Sequence, residues 1–155
     1  MVETVVSTLF VGILMTTSLQ TVGVSVRHQM RSTKDIVGAA LASGLLSEIA
    51  GQSYMEPFAS ASAITRESGE SGLSRSAYDD VDDYHGWTET PPKTRNDALL
   101  SEYAGWQRTV SVVWVTANNL LLVSGTETGV KRITVTVSLS GTVMVTRVAI
   151  RTNPS

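Results

Sequence analysis

The chain contains no cysteine, which excludes disulfide staples, thiol nucleophiles and thiolate metal sites together. It has four prolines, the first of them Pro57, so no proline interrupts a helix anywhere before that point. Charge is absent from one long stretch: between Glu3 and Arg27 there is no charged side chain and no histidine. Signature motifs are missing as well. No G-x-x-x-x-G-K-[ST], G-x-G-x-x-G, H-E-x-x-H or G-x-S-x-G pattern occurs, so nothing points to a nucleotide fold, a zinc protease or a serine hydrolase. A net charge of −2 favours neither nucleic acid nor a polybasic membrane surface.

What is present is unevenly distributed along 155 residues, a length that suits one domain plus an appendage. Residues 1–50 carry three acids and three bases, residues 51–105 ten acids and four bases, and residues 106–155 one acid and five bases. Residues 4–26, TVVSTLFVGILMTTSLQTVGVSV, are 23 consecutive uncharged positions. As a helix they would span roughly 35 Å, enough to cross a bilayer core. The first half is strongly apolar. The second, with Thr16, Thr17, Ser18, Gln20 and Thr21, suits a helix that also packs on other helices, where small polar residues permit close approach. Residues 35–50 continue the helical pattern, with Val37, Leu41, Leu45 and Ile49 recurring every fourth position and Gly51 as a stop signal. A single helix of about fifty residues is predicted, apolar all round at first and amphipathic later.

Residues 51–105 lack periodicity and are rich in Ser, Gly, Asp and Pro, which predicts a long loop. Its aromatics Tyr54, Phe58, Tyr78, Tyr84 and Trp87 suggest a loop structured by its own contacts. From Trp106 the period changes to two. WQRTVSVVWVT predicts a β-branched strand, and RITVTVSL sets Ile133, Val135, Val137 and Leu139 against Thr134, Thr136 and Ser138. Ser140-Gly141 marks a two-residue hairpin turn, after which TVMVTRVAIRT returns. The fold class expected is α+β. A long N-terminal helix, transmembrane over residues 1–26 and amphipathic over 27–50, packs on a three- or four-stranded antiparallel sheet at 106–155.

These features resemble the type IV pilin and type II secretion pseudopilin superfamily. In that family a glutamate stands at the fifth mature position of an otherwise uncharged helix, and Met1-Val2-Glu3-Thr4-Val5-Val6 matches the end of its N-terminal run. Tyr78-Asp79-Asp80-Val81-Asp82-Asp83-Tyr84-His85-Gly86-Trp87 and the later stretch Gly129–Val137 are similar to minor pilins related to the mannose-sensitive haemagglutinin pilus biogenesis protein D. The minor pseudopilin I of type II secretion is a more distant relative. The resemblance implies a pilin-like fold, and no constellation of residues supports an enzyme. It gives Glu3 an assembly role, neutralising the N-terminal amine of a neighbouring subunit. Its implied partners are other pilin or pseudopilin subunits, the inner membrane before assembly, and a prepilin peptidase acting on a precursor that is then methylated, with no nucleic acid.

Under this reading the chain is a single-pass protein of a bacterial inner membrane, its globular domain extracytoplasmic, that moves into a filament. Glu3 lies two positions earlier than in the family. A basic leader ending in glycine, followed by two mature residues, is therefore expected before Met1. The same leader would explain why Arg27, Arg31 and Lys34 follow the apolar segment while no base precedes it. The mid-helix proline of many major pilins is missing, so a melted segment is not implied.

Two constellations remain. Asp79, Asp80, Asp82 and Asp83 place four carboxylates in five residues, a repulsion that Ca²⁺, turn formation or ion pairs with Arg75, Lys93, Arg95 or Arg108 would offset. His85 beside them lacks a nucleophile and reads as a local hydrogen-bonding residue. Trp87, Trp106 and Trp114 read as cover for the sheet. The alternative to a filament subunit is a membrane-tethered extracytoplasmic binding domain whose acidic loop holds a cation or ligand.

Overall fold

The computed structural model describes residues 2–56, 63–67, 70 and 74–153. One helix, α1, runs Val2–Ala50, as the absence of proline and the continuous helical pattern predict. The chain divides into two compact units, one ending at Ile36 and the other beginning at Val37.

In the first unit every described residue is exposed except the half-buried Gly23. The surface is nevertheless apolar, with Val5, Leu9, Phe10, Val11, Ile13, Leu14, Met15 and Leu19 all open. Mean hydropathy here reaches 1.6, and the helix is long and apolar enough to cross a membrane. The threonines do not spoil that character. The hydroxyls of Thr8, Thr16, Thr17 and Thr21 donate to carbonyls one turn back, at 2.9–3.1 Å, so their polarity is satisfied within the helix.

The second unit is a helix on a sheet. The last turns of α1 bury Gly38, Leu41, Ala42, Leu45 and Ile49, the face that the four-residue repeat selects. Gly38 is small for a reason. A Cβ there would lie 3.2 Å from the Trp106 ring and 3.4 Å from Met144, so the glycine lets the sheet come close to the helix axis.

The sheet has five strands: β1 (Thr88–Glu89), β2 (Trp106–Thr116), β3 (Asn119–Val123), β4 (Val130–Leu139) and β5 (Thr142–Thr152). Their order is β1-β2-β4-β5, with β3 pairing to the end of β2, and every pairing is antiparallel. This is one or two strands more than the sequence pattern indicates. β1 is two residues long, too short for alternation to register, and β3 (NLLLV) is apolar without alternating and exposed throughout.

Trp106, Arg108, Val110 and Val112 on β2 face across to Leu139, Val137, Val135 and Ile133 on β4. Val112, Ile133, Val135 and Val137 are fully buried against the helix stripe, and each such side chain contributes about 1.5–3 kcal/mol. The β4–β5 turn has Ser140 at φ 49° and Gly141 at φ 82°, the paired positive φ of a type I′ hairpin. A register shift follows at Val137/Ser138. It explains why the adjacent residues Met144 and Val145 both reach the core.

Candidate functional site

The first candidate site lies in the membrane-length half of α1. Glu3 sits exposed in its first turn as the sole ionisable side chain before Arg27. Val11, Leu14, Met15, Ser18 and Leu19 line a shallow apolar groove further along, at the three- and four-residue spacings of a single helix face. Met1, part of the motif read from sequence, lies outside the described residues.

The second is the acidic segment, which folds against the core through a set of buried charges. Tyr54, Tyr78, Tyr84 and Trp87 are all buried, as their aromatic character predicts; Phe58 lies outside the described residues. Tyr78 and Tyr84 meet edge to face with centroids 5.0 Å apart. Ser53 forms a parallel bridge to Asp80, which ties the start of the segment to the aspartate run.

The four aspartates divide between different tasks. Asp80 Oδ1 accepts the backbone amides of Asp82 and Asp83, and Asp83 Oδ2 accepts those of Asp79 and Asp80 at 3.1 and 3.2 Å. Together they shape the short 3₁₀ turn Asp82–Tyr84. Burial and the neighbouring Asp82 and Asp83 charges push the Asp80 carboxyl up to about 7. Asp82 turns to the sheet, where its Oδ2 meets Lys131 Nζ at 2.6 Å. Lys131 also donates to the Tyr54 carbonyl at 2.5 Å and lies 4.0 Å from the centre of that ring.

Asp79 and Asp83 instead face the earlier limb of the segment. One carboxylate oxygen from each of Glu67, Glu70 and Asp83 falls within 4.8 Å of the others, and the same holds for Glu56, Glu70 and Asp79.

Bases the sequence had offered as partners for the aspartates are engaged elsewhere. Arg75 forks onto Glu48 near the end of α1 at 2.8 and 2.9 Å, and Arg108 pairs with Glu89 of β1. Both guanidiniums approach the Trp87 ring, at 4.7 and 5.9 Å. Arg95 donates to the Tyr78 carbonyl at 2.9 Å. His85 is a local hydrogen-bonding residue: its Nδ1 accepts the Val112 amide at 3.1 Å, just ahead of the point where β1 begins on β2.

Lys131 and Glu48 escaped the sequence reading. A signal for Lys131 existed, since it shares the odd-numbered, inward face of β4 with Ile133, Val135 and Val137. For Glu48 there was none, because its partner Arg75 comes from a non-periodic loop.

A scan against protein-family models gives no match, and neither does a search of curated proteins or of solved structures.

Proposed function

We propose that this chain is a minor pilin or pseudopilin, a structural subunit of a type IV pilus or a type II secretion-like filament. The observation that carries this reading is α1 itself. One unbroken helix has an apolar, exposed first part with Glu3 as its single charge, and a last part whose inner face is buried under an antiparallel sheet. Exposed apolar surface of this extent needs a lipid or protein cover. The groove at Val11, Leu14, Met15, Ser18 and Leu19 offers a second helix a packing face. The subunit is held in a bacterial inner membrane with its sheet domain extracytoplasmic, after a prepilin peptidase has processed the precursor. It then joins other pilin-type subunits. Its role is structural, not catalytic, and involves no nucleic acid.

Glu3 tests this reading. A carboxylate within the membrane is costly unless a charged partner meets it, and the amino terminus of a neighbouring subunit is such a partner. Glu3→Ala and Glu3→Gln should leave expression, membrane insertion and the fold of the second unit intact, while reducing co-purification with sheared filaments or partner subunits by tenfold or more. Full co-purification of both variants would refute the assembly role. It would favour the second reading, a membrane-tethered domain that uses its carboxylate-rich segment to bind, for which the convergence of Glu56, Glu67, Glu70, Asp79 and Asp83 speaks.

A further inference from the structure

We propose that Arg27, Arg31 and Lys34, with His28 beside them, form a site for the phosphate headgroup of an anionic membrane lipid on the extracytoplasmic side. The inference rests on the reading that residues 4–26 cross the membrane. It adds a ligand that neither the filament reading nor the tethered-domain reading requires.

Three observations carry it. First, the bases share one face of α1 at one depth. By helical geometry Arg27, Arg31 and Lys34 fall within about 60° of one another around the axis, and the run from Arg27 to Lys34 rises about 10 Å. The headgroup layer outside the hydrocarbon core is about 5–8 Å deep on each side. The bases that close the 23 uncharged residues therefore stand at, and just outside, the level of the lipid phosphates. Val24, Arg27, His28 and Arg31 line a shallow groove there, apolar at its membrane end and cationic beyond.

Second, no anion of the chain answers them. All four side chains are exposed, and the ion pairs found among the described residues, Arg75–Glu48, Arg108–Glu89 and Lys131–Asp82, leave them out. The chain holds no acid between Glu3 and Asp35, and like charges at this spacing repel unless an anion joins them. Third, Arg27 turns towards the apolar span. Its Nε donates to the Gly23 carbonyl at 3.1 Å, and its Nη2 lies 3.9 Å from where a Gly23 Cβ would stand. The guanidinium thus covers bare backbone one turn nearer the hydrocarbon, where a charge is costly without a partner. Lipid phosphates supply anions at that level, and the planar guanidinium fork suits them. Bases on the extracytoplasmic side also run against the positive-inside bias, which an anionic headgroup offsets.

The test uses the full chain in mild detergent, with native mass spectrometry comparing retained phosphatidylglycerol and phosphatidylcholine. Each base near an anionic surface is worth about fivefold, so the parent should favour phosphatidylglycerol by about tenfold or more. The double variant Arg27→Gln, Arg31→Gln should bring the two lipids near parity, whereas Arg27→Lys, Arg31→Lys should keep most of the preference. Both variants change exposed positions outside the second unit, whose melting curve should match the parent's. Inorganic phosphate at about 10 mM should leave the lipid in place; displacement by it would overturn the lipid assignment in favour of a free-anion site. Equal retention of both lipids by the parent would overturn the proposal. So would an unchanged preference in the Gln variant, which would leave the bases to an acid of a neighbouring subunit. Resistance to alkaline extraction reads the membrane span separately: a parent that stays integral yet retains both lipids equally loses this site and keeps the filament reading.

Discussion

The Asp82–Lys131 pair holds the acidic segment to the inner face of the sheet, and its removal should be felt across the whole second unit. The two charged groups are 2% and 0% exposed and 2.6 Å apart. Lys131 also satisfies the Tyr54 carbonyl and ring, and Tyr54 in turn bonds Glu127 at 2.5 Å. Removing one partner of a buried pair leaves the other charge in a medium that solvates it poorly, at a cost of about 3–5 kcal/mol. For a unit of this size roughly 3–6 °C of melting temperature corresponds to each kcal/mol. Asp82→Asn and Lys131→Met should therefore each lower the midpoint by about 10–30 °C. The double variant should be distinctly better than the sum of the singles, because an amide facing a thioether leaves no buried charge. Tryptophan fluorescence is a suitable reporter, since Trp87, Trp106 and Trp114, the three in the chain, all belong to this unit. A loss under about 3 °C for either single variant would refute this reasoning, as would strict additivity in the double.

Two further predictions concern the same unit. Val135 is fully buried while Thr136 is half-exposed, so Val135→Asp should unfold the second unit and Thr136→Asp should cost under about 1 kcal/mol; similar losses in both would show the strand register to be wrong. Because the Asp80 carboxyl is raised to about 7 from an ordinary 3.8, its contribution is intact below pH 3.8 and lost as pH rises through 7. Asp80→Asn, whose amide oxygen can still accept the turn amides beside Asp82 and Asp83, should gain on the parent in chemical denaturation between pH 4 and pH 8, and a pH-independent difference would count against the burial argument.

The strands that were legible are those where one physical period dominates. β2 runs from Trp106 to Thr116, the segment the β-branched pattern marks, and β4 buries Ile133, Val135 and Val137 as its alternation indicates, because one face must be apolar and the other need not be. The helix was legible for a different reason: nothing in the first fifty residues breaks it, and Leu41, Leu45 and Ile49 repeat at the spacing of a buried face. β3 was not legible. Its Leu120, Leu121, Leu122 and Val123 are all exposed, so burial imposes no alternation on them, and the strand exists because it pairs with the end of β2.

The acidic segment shows the limit of reading charge along a line. Four aspartates in five residues suggest one site, yet a turn of 3₁₀ helix points adjacent side chains in divergent directions. Asp82 then finds Lys131 across 49 positions of sequence, while Asp83 faces Glu67 and Glu70. The partners that decide a carboxylate's fate lie in segments with no period to place them, so repulsion could be foreseen but its relief could not. Only the sheet side of that relief was readable. A lysine at an inward position of β4 cannot stay in a core of Ile133, Val135 and Val137 without an anion above it, and the one stretch of chain dense enough in acids to supply it is the run at 79–83.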